Sequence, residues 1–349
     1  MPRSCPRPPA PLCVPGRRRF AGCWCHAKRF RKQEHQQDVW EERQVTQPRI
    51  GFIGVGLMGH GMAKNLVEKG FPLTVLAHRN RAPVEDLLAR GASEAKSAAE
   101  LAAASDIVIL CVTGAPQVEA VVRGESGLLA GARAGLHIID TSTSEPVLTR
   151  ALHAELAALG IAFCDSPLGG TPANAEAGTL SAMVGAEPEA LAVIRPVLEA
   201  FCARITPVGG PGAGHTMKLL NNFLSMGYGA LYAEALTLAQ KAGVSPQVFD
   251  SVLRGSRMDC GFYQTYFRYV LERDVNAHRF ALSNALKDIT YACNLSPETA
   301  APGSVSAAIK ASYAAAVEMG RGDWMLPQIS DVVAERNGVS LGLVPAPGA

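Results

Sequence analysis

The feature that most constrains this chain is a short apolar segment that runs straight into glycines. Arg49-Ile50-Gly51-Phe52-Ile53 reads as a strand, and Gly54-Val55-Gly56-Leu57-Met58-Gly59 follows at once. Ala63 to Glu68 is helical in pattern and is closed by Gly70, a residue suited to a helix C-cap. Phe71 to Ala77 then gives a second strand. A G-x-G-x-x-G run alone is a weak signal; between a strand and a helix it is the fingerprint of a dinucleotide-binding turn. Gly54 permits the tight turn, Gly56 lets the backbone approach a pyrophosphate, and Gly59 lets helix pack on strand. Leu57 and Met58 open the helix, where free N–H groups and the positive dipole end favour phosphate. Gly54, Gly56, Leu57, Met58 and Gly59 are therefore expected cofactor contacts.

The end of the second strand bears on which dinucleotide binds. An acid about 20 residues beyond the glycines would hold the ribose 2′-hydroxyl of NAD. Here the strand runs into His78-Arg79-Asn80-Arg81, with no acid before Glu85. A guanidinium pairs with phosphate as a bidentate fork, so this turn suits the 2′-phosphate of NADP. NADP is the expected cofactor, with NAD as the alternative, and His78 and Arg79 are named as contacts. Arg81 is also readable as a solvated basic residue.

Alternation continues. Gly91 to Ala104 reads as helix, Asp106 to Val112 as a buried strand, Gln117 to Val122 as helix and Leu136 to Asp140 as strand. Leu152 to Leu159 is again helical and Ile161 to Asp165 again a strand. Strands alternating with helices predict a parallel sheet covered on both faces, an α/β Rossmann-type domain over residues 48–211. Loops after strand ends, at Val112-Thr113-Gly114, Asp140 to Thr143 and Asp165-Ser166-Pro167, should line the ligand crevice. From 212 to 342 the pattern is all helical: Thr216–Ala242, Pro246–Leu253, Phe262–Leu271, Ala281–Leu295, Ser304–Met319 and Leu326–Asn337.

Charge sorts the chain into two parts. Of 33 Lys/Arg and 31 Asp/Glu, residues 1–47 hold ten and four, so residues 48–349 hold 23 and 27, a net of −4. A mildly acidic folded part excludes the basic face that a nucleic-acid partner would need. No run of 18 apolar residues predicts a membrane span. Cys23-Trp-Cys25-His26 has no second half at zinc-ligand spacing, so no metal is expected. The five later cysteines are scattered singly and read as small core residues in a reducing, cytoplasmic setting. Residues 1–47 read as a disordered extension ahead of the fold. Their first thirty residues are Arg-rich and lack acids, as in a mitochondrial transit peptide, but their prolines would break its helix.

Four motifs in order carry a resemblance. They are the Ile50–Gly59 opening; Asp165-Ser166-Pro167-Leu168-Gly169-Gly170-Thr171 with Ala175 and Gly178-Thr179-Leu180; Gly212-Ala213-Gly214-His215-Thr216-Met217-Lys218-Leu219-Leu220-Asn221-Asn222; and Phe280 with Lys287-Asp288. Over roughly 48–340 the chain resembles the β-hydroxyacid dehydrogenases, the family of 3-hydroxyisobutyrate dehydrogenase and tartronate-semialdehyde reductase. The resemblance implies oxidoreduction of a short 3-hydroxy acid and its semialdehyde, with a small-molecule acid as partner and a homodimer or homotetramer as assembly. It implies that Lys218 is the catalytic acid–base, with Asn222, Phe280 and Asp288 in the substrate pocket. Val112, Thr113, Thr143 and Lys287 are carried over as cofactor contacts.

The substrate loop departs from the family's Asp-Ala-Pro-Val-Ser-Gly-Gly. Gly169 stands at the serine and Thr171 at the last glycine. Gly169, Gly170 and Thr171 remain the expected substrate contacts, with the family's hydroxyl either missing or supplied by Thr171. Gly-x-Thr followed by Ala-Asn-Ala is similar to the sulfolactaldehyde reductases, whose arginine is replaced here by Gly170.

Free lysine, near pKa ~10.4, is a poor base at neutral pH, and burial could lower it toward ~7–8. Lys218 and Asn222 are four apart and share a helix face. Two other functions share parts of this pattern. Imine reductases share the fold but usually carry Asp or Tyr at the lysine position. A non-catalytic NADP-binding scaffold would have lost the lysine.

Overall fold

A computed structural model of the chain describes residues 47–301 and 303–341. The expected extension, save for Gln47, and the last residue of the expected helical domain lie outside them. Among the described residues nine strands form one sheet: β1 (Ile50–Ile53), β2 (Leu73–Leu76), β3 (Ser93–Ala95), β4 (Ile107–Leu110), β5 (His137–Asp140), β6 (Ala162–Asp165), β7 (Leu168–Gly169), β8 (Leu180–Gly185) and β9 (Cys202–Gly209). Helices α1 (Gly59–Glu68), α2 (Ala82–Ala89), α3 (Ala98–Ala104), α4 (Ala115–Arg123), α5 (Leu128–Gly131), α6 (Pro146–Ala157), α7 (Pro172–Glu176) and α8 (Pro188–Leu198) are interspersed among them.

Strands run in the order β3-β2-β1-β4-β5-β6-β8-β7, with β9 beside β8. The first six are parallel, and the order reverses between β1 and β4, where open α/β sheets bind ligands. Period-two alternation explains the burial. Phe52, Ile107 and Ile109 join one core with Met62 and Leu66 of α1; Ile53, Val108 and Leu110 join the core on the other face with Leu101, Val118 and Leu152.

Helices α2, α5, α7 and α8 and strands β7, β8 and β9 have no counterpart in the sequence reading, and two further features differ from it. The Gly91–Ala104 segment contains β3 before its helix. Ser-Glu-Ala has little strand propensity, so its pairing with β2 at the sheet edge decides. The sheet is also not wholly parallel: β8 runs antiparallel to β6 and β7. β7 follows β6 after only Ser166 and Pro167 and runs in the same sense, and β8 turns back along both through residues 170–179, a connection shorter than a parallel crossover takes.

Beyond residue 211 the described chain is helical: α9 (Ala213–Lys241), α10 (Pro246–Leu253), α11 (Gly261–Glu272), α12 (Leu282–Thr299), α13 (Ser304–Glu318), a 3-10 turn at Leu326–Gln328 and α14 (Ile329–Arg336). Its core is aromatic, built on Tyr232, Tyr263, Tyr266, Phe267 and Tyr313. With 29 residues, α9 is roughly 44 Å long and runs from the sheet edge through this core. Among the described residues no helix is long and apolar enough to cross a membrane.

Candidate active site

The glycine turn has the shape that the sequence implies. Gly54 adopts φ +104 with its α-carbon hard against the carbonyl of Cys111, where a side chain would clash at 2.2 Å. A Cβ on Gly59 would strike the carbonyl of Gly54 at 2.0 Å, so that contact holds α1 close under the turn. At Gly56 a Cβ would meet no described heavy atom within 4 Å. The start of α1 has no capping side chain at Met58 and no acid in its first turn. The Leu57 side chain is exposed, so the backbone around it is open to a ligand. These residues fit a pyrophosphate: an uncapped positive helix end beside an open glycine.

Arg79 and Arg81 sit differently just past β2. Arg81 forms a two-pronged pair with Glu94, at 2.9 and 3.0 Å. His78 and Arg79 are exposed, and no described side chain pairs with the Arg79 guanidinium. Arg79 is thus the guanidinium available to a ligand.

Three loops gather at the carboxyl ends of the parallel strands. Val112 donates its backbone N–H to Ser142 Oγ at 3.0 Å, joining the β4 and β5 loops, and Thr113 is exposed beside it. Helix α12 reaches both loops. Lys287 Nζ donates to the Thr143 carbonyl (3.4 Å) and to Asp288 Oδ1 (2.6 Å), and lies over the Tyr291 ring. The Ala115 N–H donates to the Tyr291 hydroxyl. The other oxygen of buried Asp288 accepts from Asn222 Nδ2 at 2.6 Å. Thr143, Lys287, Asp288 and Asn222 therefore form one continuous polar chain across the crevice.

Lys218 stands one helical turn before Asn222. It is half-buried, and Nζ donates to the Leu168 carbonyl at 2.7 Å. Burial pulls its ammonium below the usual lysine range; Lys287 adds to that shift, while Asp288 opposes it. A lysine that sheds its proton more readily than usual suits a group that takes and returns protons near neutral pH.

The loop following Leu168 offers backbone. Gly169 pairs with Ser181, whose hydroxyl donates to the Gly169 carbonyl, and Gly170 adopts φ +127. The Thr171 hydroxyl caps α7, accepting from the Asn174 N–H and donating to Asn174 Oδ1 at 2.7 Å. Of the two readings of the missing hydroxyl, this geometry commits Thr171 to its helix. Phe280 is half-buried against the helical core, and its carbonyl accepts from Leu326.

Other residues reach the site with no role of their own expected from sequence, although Asp140 and Asp165 lie in loops expected to line the crevice. Asp165, fully buried at the end of β6, accepts from the N–H groups of Gly212 and His215, both at 2.7 Å, and so caps α9. Buried Asp140, its carboxyl raised above the usual range by burial, accepts from Ser142 N–H. His60 lies between Glu176 of α7 and Asp86 of α2. Strand-end acids and a helix histidine are too common to single out from sequence. Among the described residues no cluster of three or more His, Cys, Asp or Glu could hold a metal.

Known proteins resemble the chain over both its sheet and its helical part. Residues 49–210 match the NAD binding domain of 6-phosphogluconate dehydrogenase, and residues 212–331 match the NAD-binding of NADP-dependent 3-hydroxyisobutyrate dehydrogenase. The 3-sulfolactaldehyde reductase of Escherichia coli (strain K12) is 34% identical over 278 residues, 79% of this chain and 93% of that one. The solved Mycobacterium tuberculosis 3-hydroxyisobutyrate dehydrogenase with L-serine superposes with a TM-score of 0.73 at 27% identity, covering 81% of this chain and 98% of that one. Psf3 in complex with NADP+ and 2-OPP gives 0.71 at 28% identity, covering 81% and 99%.

Proposed function

The chain belongs to the β-hydroxyacid dehydrogenase family and is an NAD(P)-dependent oxidoreductase acting on CH–OH; from that premise we propose that it interconverts a short 3-hydroxy acid and its semialdehyde, preferring NADP. The observation that carries the reading is Lys218, a half-buried lysine with a lowered pKa at the head of α9, facing the substrate loop.

When bound, the nicotinamide ring supplies the hydride acceptor for oxidation and the hydride donor for reduction. Lys218 takes the hydroxyl proton as the alcohol is oxidised and returns it to the carbonyl oxygen on reduction. Asn222, held by Asp288, orients the reacting oxygen beside Lys218. Lys287 fixes the Thr143 loop against the ring-binding end of the crevice. Gly169 and Gly170 receive the acid group through backbone. Arg79, with His78, takes the 2′-phosphate.

The assembly reading rests on α9. Met217, Leu220, Leu224, Tyr228, Leu231 and Leu238 are exposed along one side of it at spacings of three, four or seven. Such a stripe suits a second copy of the chain, in a homodimer or homotetramer.

The test is NADPH and NADH oxidation against glyoxylate, succinic, methylmalonic and tartronate semialdehydes and sulfolactaldehyde. Turnover of at least one of these with NADPH favoured is expected. Silence across the panel while NADPH binds would shift the reading to imine substrates, and NADH preference would overturn the role of Arg79.

A further inference from the structure

The start of α9 has two anchors, of which Asp165 is the first. Its carboxylate fixes where the helix begins, immediately after Gly212 in the left-handed region at φ +89. Gly214 packs against the Met183 carbonyl of β8, and the roll of the helix decides where Lys218 points. The second anchor is His215, one turn before Lys218 and wholly buried.

Its ring reaches across to the β5 loop. Nε2 lies 3.1 Å from the Ser142 carbonyl, which can only accept, so Nε2 carries the hydrogen and donates it. Nδ1 lies 2.7 Å from Thr149 Oγ1, whose hydroxyl also lies 3.1 Å from the Glu145 carbonyl. Carboxylate oxygens of Asp140 and Asp165 flank the ring, each at 3.8 Å. Ser142 directly precedes Thr143, whose own carbonyl accepts from Lys287. The Ser142–Thr143 segment is thus gripped at successive carbonyls, by α9 through His215 and by α12 through Lys287.

We propose that His215 is a positioning residue that sets the spacing between Lys218 and the Ser142–Thr143 loop. The proposal rests on Lys218 being the acid–base group. A 1 Å error in such spacing can cost about 10²-fold in rate, so a bond to a loop carbonyl is enough to matter. The bond requires a donor at the ring's far nitrogen, and a side chain of similar length without one breaks it while filling the same space.

The experiment compares His215→Gln, which keeps a donor of similar reach, with His215→Met, which has none. Turnover is counted per NADPH-titrated site, so a partly unfolded preparation loses sites and not rate. The Met variant is expected to lose roughly 10²-fold in kcat, with KM for the aldehyde within about 3-fold and a larger primary deuterium isotope effect from NADPD. Its ligand-free chain should also exchange amide hydrogens faster over residues 141–149, while the Gln variant stays within about 5-fold of the parent in kcat. Equal per-site kcat in the two variants, or unchanged exchange in that loop, would overturn the proposal. Lys218→Ala is run beside them. If it keeps its turnover, the reading of Lys218 fails. If it collapses while His215→Met does not, only the role of His215 fails.

Discussion

At the scale of single residues, similar side chains have been given different work by their neighbours. Arg79 and Arg81 are two positions apart and equally basic in the sequence, yet Glu94 occupies Arg81 and leaves Arg79 to a ligand. The sequence favoured Arg79 and left Arg81 readable as solvated, but it did not show Arg81's partner, which sits on β3, a strand that its own residues scarcely announce. Arg79→Ala should raise KM for NADPH by about 10-fold or more and leave KM for NADH nearly unchanged, since a phosphate–guanidinium fork is a charge-assisted bond. Arg81→Ala should move neither by more than a few-fold, because exposed ion pairs contribute little. Steady-state kinetics on the two variants checks both. The glycine turn, by contrast, was legible from its place between strand and helix, whereas Lys218 was singled out only by the family resemblance. Thr171 was legible only as a candidate; that its hydroxyl caps α7 depends on Asn174 folding back to it.

Among the elements, the contact of most consequence for the site joins α1 to α7. Helix α1 opens at the dinucleotide turn, and α7 follows the substrate loop, so their packing links the two binding regions. Asn65 Nδ2 donates to the Ala175 carbonyl, and Lys64 pairs with Glu176. His60 completes the link: Nδ1 lies 2.7 Å from Glu176 and Nε2 lies 2.9 Å from Asp86, which Arg90 also holds. Burial opposes the charged ring, but the two carboxylates outweigh it and raise its pKa above the ordinary value of about 6.5. Both carboxylates are held below their usual range and stay ionised in mild acid. A raised histidine pKa stabilises the fold fully below the unfolded value and loses that contribution as pH climbs through the folded one. The melting temperature of the parent should therefore exceed that of His60→Gln most near pH 6, with the gap closing at alkaline pH. A gap that widens with pH would contradict the clamp. In this part of the chain periodicity gave only Ala63–Glu68, the later part of α1; the short α2 and α7 were not read, and the reversal at β8 was set by the short connection after β7.

For the molecule as a whole, the crevice is built from both halves. The sheet supplies the turn after β1 and the loops after β4, β5 and β6; α9 and α12 supply Lys218, Asn222, Lys287 and Asp288. The sequence announced the two halves as a change from alternating elements to unbroken helix, but not how α9 is fastened to the sheet, which needs Asp165 and His215 brought together across 50 residues. The exposed stripe on α9 belongs to this scale too. Sedimentation should show a dimer or larger, and Leu231→Glu should shift the chain toward monomer; a parent that sediments as a monomer would remove the stripe from the account. The central claim is proton transfer by Lys218, and the most direct measurement is the single-turnover rate of NADPH oxidation by Lys218→Ala on the best aldehyde of the panel. The account predicts a fall of about 10²–10⁴-fold with NADPH affinity unchanged. A rate within about 3-fold of the parent would contradict it.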